Sequence, residues 1–456
     1  MVMLDTNNKL YWLYSLLIFL TLYTDSPLST YLGAFGESML PSISLCLYIL
    51  FVLINRINRT DSFVKKFSFL IKVTTLLSLI AFFIYPLFNI SYTQLGESLF
   101  VKLVKLWLTF QAYICYLLLL INIAGDYTIE RILKPFFLGF VGLTIILLIE
   151  FYQSPFAFMY LHTSTSDIYY RIRLLTPESS ATALMLEVFF VLSVFYTYYV
   201  RQSKFLLGMV LICAGLHIAL SGSKTLLTII CISGILLFFQ RAKYMFSFKG
   251  LLIMTGFVIG GGYVASFILP KLIESFMDDL ENYTSVVTRF YSIFIGYSIG
   301  ICFPLGTGFQ TYMYLFPEMM RNNLFLIDMI NMPLRSDEII SLATSGDDNA
   351  VSAKSFLGQS SIYWGIIGTY FFIKNYVKLY SCSKPNIKKG NSLFKMLLIL
   401  IVVQLLFSSG LDYCVIALFF VHIRIKNDYK PIKIRVRWGN FSNNQNILSE
   451  SSKTRN

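Results

Sequence analysis

Residues 99–124 read LFVKLVKLWLTFQAYICYLLLLINIA, with no charged residue after Lys105. The hydrocarbon core of a bilayer is about 30 Å thick, and a helix rising about 1.5 Å per residue crosses it in about 20 residues. This stretch meets that length and lacks the apolar–polar alternation of a barrel strand. Apolar runs of similar length recur along the chain. Helices are expected at about residues 10–24, 38–55, 69–89, 99–124, 135–153, 181–200, 205–220, 225–240, 250–269, 361–379, 395–409 and 411–423. Backbone polar groups in lipid must be paired within their own segment, so such runs form helices. The sequence therefore reads as an all-α polytopic membrane protein with about twelve transmembrane helices.

Composition agrees. Of 456 residues, 56% are apolar and only 13% charged, and the mean hydropathy is +0.67. A soluble chain of two or three domains is excluded on those grounds. The first apolar run leads through Thr24–Asp25–Ser26–Pro27 into the next without a small-residue cleavage site, which favours a retained helix over a signal peptide. The seven cysteines lie mostly inside apolar runs and form no CxxC, so neither a disulfide framework nor a zinc site is indicated.

The net charge of +13 follows topology rather than nucleic acid. One set of connections carries Arg56, Arg59, Lys65, Lys66, then Arg131 and Lys134, Arg201 and Lys204, Arg241, Lys243 and Lys249, and a lysine group from Lys374 to Lys395. The opposite set carries no Lys or Arg in 25–37 or 90–98. By the positive-inside rule the first set is cytoplasmic. Both termini are then cytoplasmic, and residues 270–360 form one long extracytoplasmic loop. Residues 1–430, this loop included, read as one transmembrane domain, and 431–456 as a basic, disordered cytoplasmic tail suited to anionic lipid. Whether 395–423 makes two short helices or one decides where the C-terminus lies; the basic tail favours two.

Cations on the depleted side need a reason. Arg171 and Arg173 precede a Pro–Glu turn containing Glu178, where a helix N-terminus favours an anion. Ser221, Ser223 and Lys224 form a Ser-Gly-Ser-Lys turn between short apolar runs, which suits phosphate. A snorkelling lysine on a tight loop serves equally. Arg289 opens an amphipathic-to-apolar helix that Pro304–Leu305–Gly306–Thr307–Gly308 ends; no Gly-Lys-Ser/Thr follows, so this is not a phosphate-binding P-loop. Asp347, Asp348 and Lys354 precede the next apolar helix, the acids reading as a base site, a solvated loop or, least of all, a metal site. Lys102 and Lys105 share a helix face, either guiding lipid phosphates or snorkelling. His217 reads as a packing residue inside the membrane.

The order RIRLLTPES (171–179), SGSKT (221–225), TRF…PLGTGF (288–309) and YWGIIGTY (363–370) resembles the superfamily of Wzy-type O-antigen polymerases and O-antigen ligases. The resemblance covers roughly residues 165–375. Lys224 stands where arginine is commoner; no histidine precedes the Gly-Ile-Ile-Gly helix, as ligases have, and Asp347 or Asp348 stands nearby instead, which points to a polymerase. The resemblance implies transfer of a glycan from undecaprenyl pyrophosphate onto the terminal sugar hydroxyl of another lipid-linked repeat, with no metal and no cofactor. Arg171 or Arg173, Lys224 and Arg289 would stabilise the departing pyrophosphate. Glu178, Asp347 or Asp348 would orient or deprotonate the acceptor, and Ser221, Ser223, Lys102, Lys105 and Lys354 would bind substrate. It also implies a location in the cytoplasmic (inner) membrane with the site facing outward. The partners are the lipid-linked oligosaccharide, membrane lipid and a chain-length regulator, with no nucleic acid. A ligase, a flippase for the same lipid, and a glycosyltransferase with an acidic first outer loop (Asp25 and Glu37) are the competing readings.

Overall fold

The structure, a computed structural model, describes residues 2–28, 39–58, 62–153, 161–162, 172–177, 179–221, 284–326, 337–344, 352–382 and 391–407, with 415, 416 and 419. The chain opens with α1 (Val2–Leu20), α2 (Met39–Leu53) and α3 (Ser62–Ile84), which a short 3₁₀ turn, Tyr85–Phe88, extends. A small hairpin follows, β1 (Thr93–Gln94) pairing antiparallel with β2 (Glu97–Ser98). Next come α4 (Leu99–Ala124), α5 (Ile129–Gln153), α6 (Ser179–Val194), whose end widens into a π turn at Phe195–Val200, and α7 (Lys204–Ser221). The later part holds α8 (Thr284–Cys302), α9 (Tyr312–Asn322), α10 (Asp337–Thr344), α11 (Phe356–Cys382) and α12 (Asn391–Phe407).

Five of the described helices are long and apolar enough to cross a membrane: Ser62–Phe88, Leu99–Ala124, Ile129–Gln153, Ala181–Val200 and Lys204–Ser221. The observed α4 starts and ends where the sequence places it. Helices expected at 225–240 and 250–269, and most of 411–423, lie outside the described residues, as does the tail.

Helix α3 shows how apolar surface is divided. Phe67, Leu70, Ile71, Thr74 and Ser78 face the bundle, while Phe69, Leu76 and Phe83 point away and are exposed, Phe83 to 81%. Seven-residue spacing puts Phe69, Leu76 and Phe83 on one stripe. A water-soluble domain rarely carries so continuous an exposed apolar face, whereas lipid accepts it. Inside, α2 packs on α4, α5 on α6, and α8 along α11.

The α8–α11 pair is the unusual part. Gly296 and Gly300 let the backbones close up: a Cβ on Gly296 would stand 2.9 Å from the Gly358 carbonyl oxygen, and one on Gly300 2.7 Å from that of Ser361. Ser361 Oγ donates to the Gly296 carbonyl at 2.7 Å. The contacts advance in the same direction along both chains, so the two helices run parallel here. Helix α11, expected as one uninterrupted span, is broken at Gly365, where φ is 67° and ψ 177°. Into the break fits the turn after α8. Thr307 N donates to Ile362 O, Gly308 N to Tyr363 O, and Ile367 N to Pro304 O. Ile362 O, Tyr363 O and Ile367 N thus find partners in the other element, as burial requires.

The same turn is fastened to α3. Ser78 Oγ accepts from Phe309 N at 2.8 Å, and Gln310 Nε2 donates to the Ser78 carbonyl and to Tyr85 Oη. Helix α9 then folds back on α8, with Tyr291 Oη donating to the Met320 carbonyl at 3.0 Å. Part of residues 270–360, expected as one long loop, is thus a packed helix, with Tyr312, Met313, Phe316, Pro317 and Met320 buried.

Candidate functional site

The chain leaving α1 and the segment entering α6 meet at one end of the bundle. Thr24 N donates to the Leu175 carbonyl at 3.0 Å, and Tyr23 Oη to that of Leu161 at 2.7 Å. This juxtaposition buries Asp25, which is 2% exposed. Its Oδ2 lies 2.7 Å from Nδ1 of His162 and 3.9 Å from Nη1 of Arg173. The His162 side chain is 1% exposed and that of Arg173 11%.

Arg173 is held by its backbone as well. Near the end of α5 the buried carboxylate of Glu150 accepts Arg173 N at 2.9 Å and Leu174 N at 2.8 Å. Leu174 has φ of 52°, a left-handed conformation that a branched residue adopts only when its surroundings enforce it. The Arg173 carbonyl accepts from Thr176 Oγ1 at 2.9 Å and from Thr182 Oγ1 at 2.7 Å. Thr182 lies in the first turn of α6, so the arginine segment is seated on that helix N-terminus, the end that favours negative charge. Two carboxylates therefore fix one arginine, Asp25 through the guanidinium and Glu150 through the main chain.

The Lys354 segment is tied to the same turn through two helices. In addition to the Thr182 bond, Gln404 Nε2 donates to the Leu184 carbonyl, and Ser355 Oγ to that of Leu405. A path of three hydrogen bonds and a few residues thus joins Arg173 to Lys354 through α6 and α12. Lys354 is half-buried and has φ of 51°. Its neighbour Ala353 sits against Gly296 of α8, two turns beyond Arg289. Arg289, expected as the first residue of its helix, lies one turn inside α8 and is half-buried.

Lys102 and Lys105 share the carboxylate of Glu97, Lys102 at 3.0 Å and Lys105 in a short contact. Lys102 also lies 6.0 Å from the Tyr312 ring centroid, which links the start of α4 to α9. Half of their charge is therefore neutralised within the protein. Burial raises the Glu97 pKa, but hydrogen bonds and charge from Lys105 and Lys102 outweigh it and hold the carboxyl below its usual range. A carboxyl depressed by folding adds stability above its unfolded value, lost as pH falls through the folded one. Glu97→Gln should thus lower the thermal midpoint by a few degrees at neutral pH. The difference from wild type should vanish on acidification below about pH 4; a difference that persists there would contradict the ion-pair account.

Ser221 closes α7 and is buried. Arg171, Glu178, Ser223, Lys224, Asp347 and Asp348 lie outside the described residues. Sequence reasoning did not select Asp25, Glu150 or His162 as site residues. A signal existed: Asp25 and Glu150 are isolated acids bordering apolar runs, a place where ionisable groups are expensive. Nothing in the sequence, however, shows that positions 25, 162 and 173 meet.

These elements define a helical membrane protein with a buried, charged cluster at one end of its bundle. No protein-family profile matches the chain, and no solved structure does. The chain is similar to an uncharacterized 49.5 kDa protein in the cps region of Klebsiella pneumoniae, 28% identical over 165 residues. The match takes in 34% of this chain and 37% of that protein.

Proposed function

We propose that the chain is a membrane glycosyltransferase of capsular or O-antigen polysaccharide biosynthesis, a polymerase that joins undecaprenyl-pyrophosphate-linked repeats. The observation that carries this reading is the chain of hydrogen bonds that ties the Arg173 turn, through α6 and α12, to the Lys354 segment. The similarity to a cps-region protein supports the pathway. The interlock of PLGTG with the Gly365 break joins two of the motifs on which the family resemblance rests.

On this reading the enzyme sits in the cytoplasmic membrane with the site facing outward, and a chain-length regulator is its protein partner. The acceptor hydroxyl attacks the anomeric carbon of the donor. The bond from that carbon to the pyrophosphate oxygen breaks, and the pyrophosphate leaves with the electron pair. Guanidinium groups of Arg173 and Arg289, with Lys224, stabilise that charge where water is excluded. A single displacement inverts the anomeric centre.

Deleting the gene should leave surface glycan of single repeats. Arg289→Ala, assayed with lipid-linked repeat isolated from the deletion strain, should abolish chain growth at unchanged protein abundance. Complete loss of surface glycan on deletion would point instead to a flippase or ligase, and retained growth by Arg289→Ala would remove that arginine from the leaving-group role.

A further inference from the structure

The geometry points to His162 as the proton acceptor for the attacking sugar hydroxyl, with Asp25 as the residue that positions it. This inference rests on the polymerase reading and names a base that the sequence alone assigned to other residues.

Three observations carry it. His162 Nδ1 lies 2.7 Å from Asp25 Oδ2, which fixes the proton of a neutral imidazole on Nδ1 and leaves the lone pair on Nε2. Nε2 is buried and has no hydrogen-bond partner among the described residues. A buried polar atom left unpaired is costly, so a hydroxyl donated to Nε2 recovers energy already spent in the fold. Finally, Asp25 lies between the imidazole and the Arg173 guanidinium. The group that takes the proton and a group that meets the leaving pyrophosphate are therefore held by one carboxylate.

The step balances simply. The acceptor O–H proton moves to Nε2 as its oxygen bonds to the anomeric carbon, and the departing pyrophosphate takes the electrons of the bond that breaks. The imidazolium that forms faces Asp25, which stabilises it. Release of the proton to solvent or to the product resets the site.

The other buried ionisable groups serve this role less well. Glu187 has one unpaired oxygen, but Gln404 holds the other and the residue lies two turns into α6. His217 bonds Thr144 inside the bundle and has no carboxylate partner among the described residues.

The test uses full-length protein in lipid nanodiscs, with lipid-linked repeat from the deletion strain as substrate. His162→Gln should reduce kcat by about 10²-fold or more, with KM for the repeat nearly unchanged, as loss of a general base does. The wild-type rate should fall on the acid side, because a protonated imidazole accepts no proton, and His162→Gln should lose that limb. Among the described residues, the charged groups around the imidazole are Asp25, Arg173 beyond it and Glu150, which holds the Arg173 main chain. Asp25→Asn, which no longer fixes the Nδ1 proton, should lower kcat with KM nearly unchanged. That split decides the matter if His162→Gln accumulates poorly. Turnover by His162→Gln within a few-fold of wild type, an acid limb kept in that variant, or an undiminished kcat in Asp25→Asn overturns the assignment. Failure of the wild-type protein to extend repeats withdraws the polymerase reading itself and this inference with it.

Discussion

Gly365→Ala should prevent the protein from reaching its folded state in the membrane. At φ of 67° and ψ of 177° the residue occupies a region that is almost exclusively glycine's. A Cβ there would stand 2.0 Å from the Pro304 carbonyl oxygen and 2.3 Å from its carbon. These are backbone atoms, so no side chain can swing away. Relief requires closing the break in α11, which expels the turn after α8 and unpairs Thr307 N, Gly308 N and the Pro304 carbonyl. A cost on the order of 4 kcal/mol or more is expected, among the largest that single substitutions produce. The measurement is membrane abundance together with the thermal midpoint in detergent. Gly142→Ala is the matched control: it lies inside α5, nothing stands within 4 Å of a new Cβ, and alanine is the better helix former. That variant should be neutral or slightly more stable. Equal behaviour of the two variants would dispose of the interlock.

Glu150→Ala should be nearly as damaging, and in a way that reaches the site. The substitution removes the acceptor of Arg173 N and Leu174 N together. Hydrogen bonds to a charged group contribute about 1.5–3 kcal/mol each, and an unpaired buried amide adds its own cost, so a loss of about 3–5 kcal/mol is expected. Leu174, no longer held in its left-handed conformation, would relax and carry the Arg173 guanidinium away from Asp25. Glu150→Gln keeps one acceptor oxygen and should fall between alanine and wild type in thermal midpoint. A midpoint for Glu150→Ala within about a degree of wild type would mean that the arginine turn is held by something else.

These two residues mark what sequence reading reached and what it missed. The apolar spans were legible because lipid demands about 20 uncharged residues in a row, a constraint local to each segment. Helix α4 matches its expected limits, and α3, α5 and α6 begin or end within a turn or two of theirs. Arg173 and Arg289 stood out because a lone cation near lipid is expensive wherever the rest of the chain lies. The glycines of PLGTG announced a turn, though not that it would fill a gap in another helix. Gly365 read as part of the Gly-Ile-Ile-Gly motif of an unbroken helix. Its φ is fixed by the backbone that crosses it, which its neighbours in sequence do not reveal.

By itself, the sequence determined the class of this protein. Its hydropathy makes it helical and lipid-adapted, and its scattered basic residues nominate an anion-handling end. Tertiary structure alone decided which charges meet. Asp25 joins His162 across 137 residues and Arg173 across still more, and Glu150 reaches back to the arginine's main chain. Membrane insertion depends on the free energy of each segment, so it is written locally. Pairing of buried charges depends on which segments pack together, because only contact with the right partner offsets their desolvation.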